Sequence, residues 1–135
     1  MNHTEHEHQK NLMTWAGMVQ IPAADDVEPG STVADYLFAI PLGGRRDARE
    51  AARLKAEGAK AGVSDLFLPL QRRGFGGLWI EMKAPGKKPT TLQRDWIARM
   101  TRAGYRAECI DDWVGAAQLI SEYLGLVSPP PEHAP

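Results

Sequence analysis

The chain has 135 residues, 43% hydrophobic and 24% charged, with a formal net charge of −1. That is the composition of one globular domain. No apolar run reaches the roughly 18–20 residues that span a bilayer, the polar, His-rich start does not read as a secretory leader, and one cysteine (Cys109) cannot close an internal disulfide; a cytoplasmic, non-membrane protein is expected. The near-neutral total hides an asymmetry. Residues 45–106 carry fifteen Lys/Arg against six Asp/Glu, while the remainder carries one Lys against eleven acids. A middle segment this basic suits a phosphate-binding surface or, equally, solvated helix faces.

Residues 5–18 read as an amphipathic helix with Thr4 as N-cap. Leu12, Trp15, Ala16 and Val19 share a face that Glu5, His8 and Gln9 extend. Residues 20–33, with Pro22, Asp25-Asp26 and Pro29-Gly30, mark a loop. Asp35 to Ile40 alternates as a short strand ending at Pro41. After the Gly43-Gly44 break, residues 46–57 favour a basic helix ending near Gly58. Val63–Leu70 and Leu78–Lys83 read as strands joined by the Arg72–Gly77 turn into a hairpin. Thr90 or Thr91 caps a helix through Ala103, Tyr105–Ile110 is a fourth strand, and Asp111 caps a last helix to Leu124. The order α-β-α-β-β-α-β-α predicts an α/β fold: a mixed sheet flanked by helices over residues 1–125. A Pro-rich tail, 126–135, is expected to be disordered.

Three positions draw attention as chemistry. Asp65 opens one strand, and Glu81 and Lys83 share a face at the end of the next. Two carboxylates and an ammonium at adjacent strand ends can hold a divalent metal beside a phosphate. Taken singly, Asp65 reads as a turn cap and Glu81–Lys83 as a surface ion pair of little energy. Helical phase turns Glu5 toward the core, about 160° away from Glu7. A core-facing carboxylate needs a partner, unless a frayed first turn leaves it in water. Gln93 lies at the edge of the face made by Leu92, Trp96, Met100 and Ala103, where it would orient a charged group or cap backbone. His6 and His8 are two apart and do not face each other, so no zinc site is expected. Gly74-x-Gly76-Gly77 precedes a strand and is not a phosphate loop. Cys109 sits mid-strand as a small apolar residue without a base.

In order, the stretches Glu5-His6-Glu7-His8-Gln9, Ala39-Ile40-Pro41, Gly43-Gly44, Arg53-Leu54-Lys55-Ala56-Glu57-Gly58, Gly62-Val63-Ser64-Asp65-Leu66-Phe67-Leu68, Gly77-Leu78-Trp79-Ile80-Glu81-Met82-Lys83 and Gln93 resemble the VRR-NUC branch of the PD-(D/E)XK nucleases, in its compact phage and prophage form. The resemblance implies a restriction-endonuclease-like fold. It also implies a Mg²⁺- or Mn²⁺-dependent DNA endonuclease, homodimeric and selective for branched DNA such as four-way junctions. Asp65, Glu81 and Glu5 would hold the metal, Lys83 would orient the attacking water, and Gln93 would support them. Arg45, Arg46, Arg49, Arg53, Lys55, Lys60, Lys87, Lys88 and Arg94 would grip the DNA backbone. Leu42 and Ser64 depart from the Asn and Pro common in relatives, without removing a metal ligand. A flap, nicking or end-processing nuclease, and a non-catalytic DNA-binding module, are the rival readings.

Overall fold

Thr4 opens the first helix by a reciprocal cap: its hydroxyl accepts the Glu7 N–H, and Glu7 accepts the Thr4 N–H at 2.6 Å. The computed structural model describes residues 4–41 and 47–126. Helix α1 runs Glu5–Ala16, β1 Phe38–Ala39, α2 Ala48–Ala56, β2 Leu66–Leu68, β3 Leu78–Met82, α3 Thr91–Arg102, β4 Arg106–Ile110 and α4 Trp113–Leu124. The sheet order is β1-β2-β3-β4. The first three strands are antiparallel, and β3 and β4 are parallel. A parallel pair needs a crossover, which α3 supplies.

Alternation divides the sheet into two chemically different faces. Leu66, Leu68, Leu78, Ile80 and Met82 are all fully buried and join Leu12, Trp15 and Ala16 of α1 and Ala116, Ala117 and Ile120 of α4 in one core. Each of the buried Leu, Ile and Met side chains contributes about 1.5–3 kcal/mol through burial. The opposite face carries Phe67 and Trp79, whose rings lie 4.2 Å apart, and Trp96 of α3 meets Trp79 edge-on at 5.4 Å. Tyr105 closes this aromatic layer at 5.9 Å from Phe67.

Several sequence expectations shift. The strand expected over 35–40 shrinks to Phe38–Ala39, because Asp35 turns back to accept the Thr32 N–H at 2.8 Å and makes Val33–Asp35 a turn of 3₁₀ helix. The strand expected over 63–70 is only Leu66–Leu68. Gly62, at φ +90°, breaks it before, and Pro69 has no N–H to extend the ladder. The first helix stops at Ala16 rather than 18, capped at Gly17, and the basic helix begins at Ala48, capped by Asp47. Asp112, not Asp111, caps the last helix by accepting the Gly115 N–H. Asp111 instead accepts the Gly86 N–H at 3.2 Å. The Pro-rich tail beyond Leu126 lies outside the described residues.

Gly62 holds the chain that leads into Asp65 against the start of α3. A Cβ there would stand 2.6 Å from the Leu92 carbonyl oxygen, at a φ that side chains resist. Gly62→Ala should therefore cost at least about 2 kcal/mol, read as a lowered urea midpoint with an unchanged slope.

Candidate metal centre

Strand β3 sends Ile80 and Met82 into the core, so alternation turns Glu81 to the other face. Antiparallel pairing of Leu66 with Ile80 leaves Asp65 as the next residue along β2's approach, level with Glu81. Asp65 is fastened on both sides: its Oδ2 accepts the Met82 N–H at 2.9 Å, and its carbonyl accepts the Ile40 N–H at 2.7 Å. The phase of α1 delivers Glu5 to the same place. Carboxylate oxygens of Glu5, Asp65 and Glu81 all lie within 4.8 Å of one another. Lys83 follows at the end of β3, half-buried, its N–H donating to the Ile110 carbonyl at 2.9 Å.

Glu81 is the extreme member, with 1% of its surface exposed. Its Oε2 accepts from Gln93 Nε2 at 3.2 Å, and its Oε1 is buried with no hydrogen-bond partner. Burial pushes its carboxyl up to about 9; Asp65 and Glu5 push the same way and Lys83 opposes them. A site that crowds three carboxylates needs either a proton or a cation. An all-oxygen, anionic donor set with one oxygen unclaimed fits a hard divalent ion such as Mg²⁺ or Mn²⁺.

Gln93 satisfies both of its sequence readings. Its Oε1 accepts the Thr90 N–H at 2.8 Å in the cap of α3, while its amide nitrogen holds Glu81. Glu7 is exposed and serves the cap of α1. The expected DNA-gripping residues divide by position. Arg45 and Arg46 lie outside the described residues. Arg49 and Arg53 are exposed on α2, with Arg53 bonded to Glu57 at 3.1 Å, and Arg94 is exposed on α3. Lys55 and Lys60 line a cleft that reaches Asp65 and Gln93. Lys87 and Lys88 follow a turn in which Pro85 precedes Gly86 at φ +80° and the Lys87 N–H meets the Ala84 carbonyl at 3.0 Å, the pattern of a type II turn. Burial pushes the Cys109 thiol up to about 11, so it is not a nucleophile at neutral pH.

His8, which the sequence places on the extension of the apolar face of α1, has a structural role that its residue type does not announce. It is 4% exposed, and its Nδ1 accepts the Trp113 N–H at 3.0 Å, capping α4 from α1. The signal for this was its spacing: four residues before Leu12 and seven before Trp15, on the buried face. Asp111's hold on the Gly86 turn left no sequence signal, because it depends on β3 and β4 lying side by side.

A family model for the VRR-NUC domain matches residues 41–111. A solved structure described as a VRR_NUC domain protein superimposes with a TM-score of 0.76 at 28% identity, covering 93% of this chain and 92% of that one. No curated protein matches the chain.

The raised Glu81 carboxyl has a consequence for stability. Its ordinary value is 4.5, against about 9 in the metal-free fold. Between those values the folded state keeps a proton that the unfolded chain has lost. The contribution of Glu81 is thus fully present below about pH 4.5 and is lost as pH rises toward 9. In EDTA, the melting temperature should fall with pH across this window. Glu81→Gln should flatten the fall, and saturating Mg²⁺ should oppose it. A wild-type curve parallel to that of the variant would contradict the buried, protonated carboxyl.

Proposed function

The chain belongs to the VRR-NUC domain family, and from that premise we propose that it is a divalent-metal-dependent DNA endonuclease that cuts branched DNA. The observation that carries this reading is the group of three carboxylates around a buried Glu81 whose Oε1 receives no hydrogen bond from a donor group. Glu5, Asp65 and Glu81 are the residues that would hold Mg²⁺ or Mn²⁺. When bound, the ion supplies positive charge beside the scissile phosphate and favours ionisation of the attacking water.

The chain's own residues do the rest. Lys83 supplies an ammonium close enough to act on Glu81, suited to orienting water and to stabilising charge that develops on a phosphoryl oxygen. Gln93 fixes the Glu81 carboxylate plane, leaving Oε1 as the oxygen to present. The Met82 N–H does the same for Asp65. Arg49, Lys55, Lys60, Lys87, Lys88 and Arg94, with Arg45 and Arg46, contact phosphates and position the duplex without reading its sequence. Resolving a four-way junction takes two cuts, and the described residues of one protomer hold one such carboxylate group. The working form on junctions is therefore a homodimer, acting in the cytoplasm of a bacterial host if the gene is carried by a phage or prophage. No helix among the described residues is long and apolar enough to cross a membrane.

The test is cleavage of labelled four-way junction, flap and linear duplex in Mg²⁺ or EDTA. Asp65→Asn, Glu81→Gln and Lys83→Ala should each lower turnover at least about a hundredfold while DNA binding survives. Glu5→Gln should cost activity and Glu7→Gln should not. Near-normal turnover by the Asp65 or Glu81 variant would remove the assignment.

A second measurement addresses the basic surface. Four to six phosphate contacts give a slope of log K against log [salt] of about −4 to −5. Replacing Arg45, Arg46 and Arg49 with Ala should flatten that slope and weaken junction and duplex binding by similar factors. Sedimentation checks the dimer: a monomer that only nicks or trims would point to a flap or end-processing enzyme.

A further inference from the structure

Helix α2 buries none of its residues completely. Its apolar side, carried by Leu54, does not pack into the core but lines a cleft of about 750 Å³ whose other walls include Ile40, Val63 and Leu92. Leu92 is 55% exposed on the first turn of α3. The volume lies within the roughly 300–1,000 Å³ of small-molecule sites. Two of the lining side chains, Lys55 and Lys60, are cations. The one acid of the lining is Asp65, which belongs to the carboxylate group described above, and Gln93 lines the cleft beside it. The cleft is therefore continuous with the metal centre, aliphatic along its walls and positive along part of its lining.

We propose that this cleft receives a single unpaired nucleotide of the DNA substrate, its base between the aliphatic walls and its phosphate toward Lys55 and Lys60. This rests on the endonuclease reading and specifies how the same site selects its substrate. A base stacked and paired in a duplex presents only its edges, so placing it between the two aliphatic walls requires a nucleotide that has left the helix. Extrusion costs a few kcal/mol from intact duplex and less where pairing is already broken. A protomer would then favour branch points before any second protomer is considered. The cleft also lacks the means to tell bases apart. Among the described lining residues the aliphatic walls offer a base no hydrogen bond, Lys55 and Lys60 are given to the phosphate, Asp65 belongs to the carboxylate group, and both ends of the Gln93 amide are engaged, by Thr90 and by Glu81. It distinguishes a base from no base, and not one base from another.

The experiment is a methyl NMR titration of the full chain in EDTA with dAMP, dTMP and 2-deoxyribose 5-phosphate, paired with cleavage assays. Both nucleotides should shift the methyl resonances of Ile40, Leu54, Val63 and Leu92 with similar affinity. The sugar phosphate should bind at least tenfold more weakly. Leu54→Asp should abolish the nucleotide shifts without changing the melting temperature; should that variant unfold, Leu92→Asp on exposed surface reads the same loss. In Mg²⁺, an abasic nucleotide at the unpaired position of a branched substrate should slow cleavage at least tenfold. Equal binding of the sugar phosphate, nucleotide shifts elsewhere, or methyl shifts that follow protein concentration alone would overturn the proposal, the last by giving the cleft to a second copy. Cleavage indifferent to the abasic position would overturn it too. Absence of all cleavage alongside the expected methyl shifts would remove the endonuclease reading and leave a nucleotide-binding cleft.

Discussion

A carboxyl group held out of water governs this molecule. Glu81 is placed in the middle of the sheet, between β2 and β4, with two further carboxylates beside it and only one of its oxygens hydrogen-bonded. Among the described residues Lys83 opposes that arrangement, and the rise of the carboxyl to about 9 shows that it does not prevail. A fold under selection for stability alone would place an apolar residue there, as it does at Ile80 and Met82 on either side. The surroundings make sense as devices that keep an unfavourable group in one geometry, and this is the usual physical mark of a site kept for chemistry.

Those devices come from distant parts of the chain. Asp65 depends on the β2–β3 pairing and on the Gly62 approach to Leu92; Gln93 depends on the Thr90 cap; Glu5 depends on α1. Helix α1 is held on the core by Leu12, Trp15 and Ala16 and to α4 by the His8 bond to the Trp113 N–H. That bond needs an unprotonated Nδ1, so the registry of α1 against α4 is tied to a neutral imidazole. Since Glu5 lies one turn from His8, the contact that orders the first helix also sets the reach of its carboxylate.

Legibility followed range along the chain. The caps at Thr4 and Thr90 and the phase that turns Glu5 inward are local features, and the residues themselves show them. The pairing of Leu66 with Ile80 is also short in range, since a tight turn sets it. What the sequence concealed was competition. Asp35 and Asp111 each had two possible jobs, and the choice fell to partners that only folding supplied: Thr32 for the first, the Gly86 turn for the second. The strand that was expected over 63–70 failed for the same kind of reason, because alternation alone does not reveal where Gly62 and Pro69 withdraw a ladder. The cleft beside α2 has no sequence signature at all, since it is defined by the contacts that Leu54 and Leu92 do not make.

The double duty of Gln93 carries one more implication. The same amide closes the N-terminal cap of α3 and holds Glu81, so the helix cannot fray at that end without releasing the carboxylate. Local unfolding of the first turn and loss of order at the site are one event with one free energy. Whatever draws the Glu81 carboxylate into a fixed position must also protect the amide protons of Gln93 and Arg94, which are bonded to Thr90, from exchange with solvent.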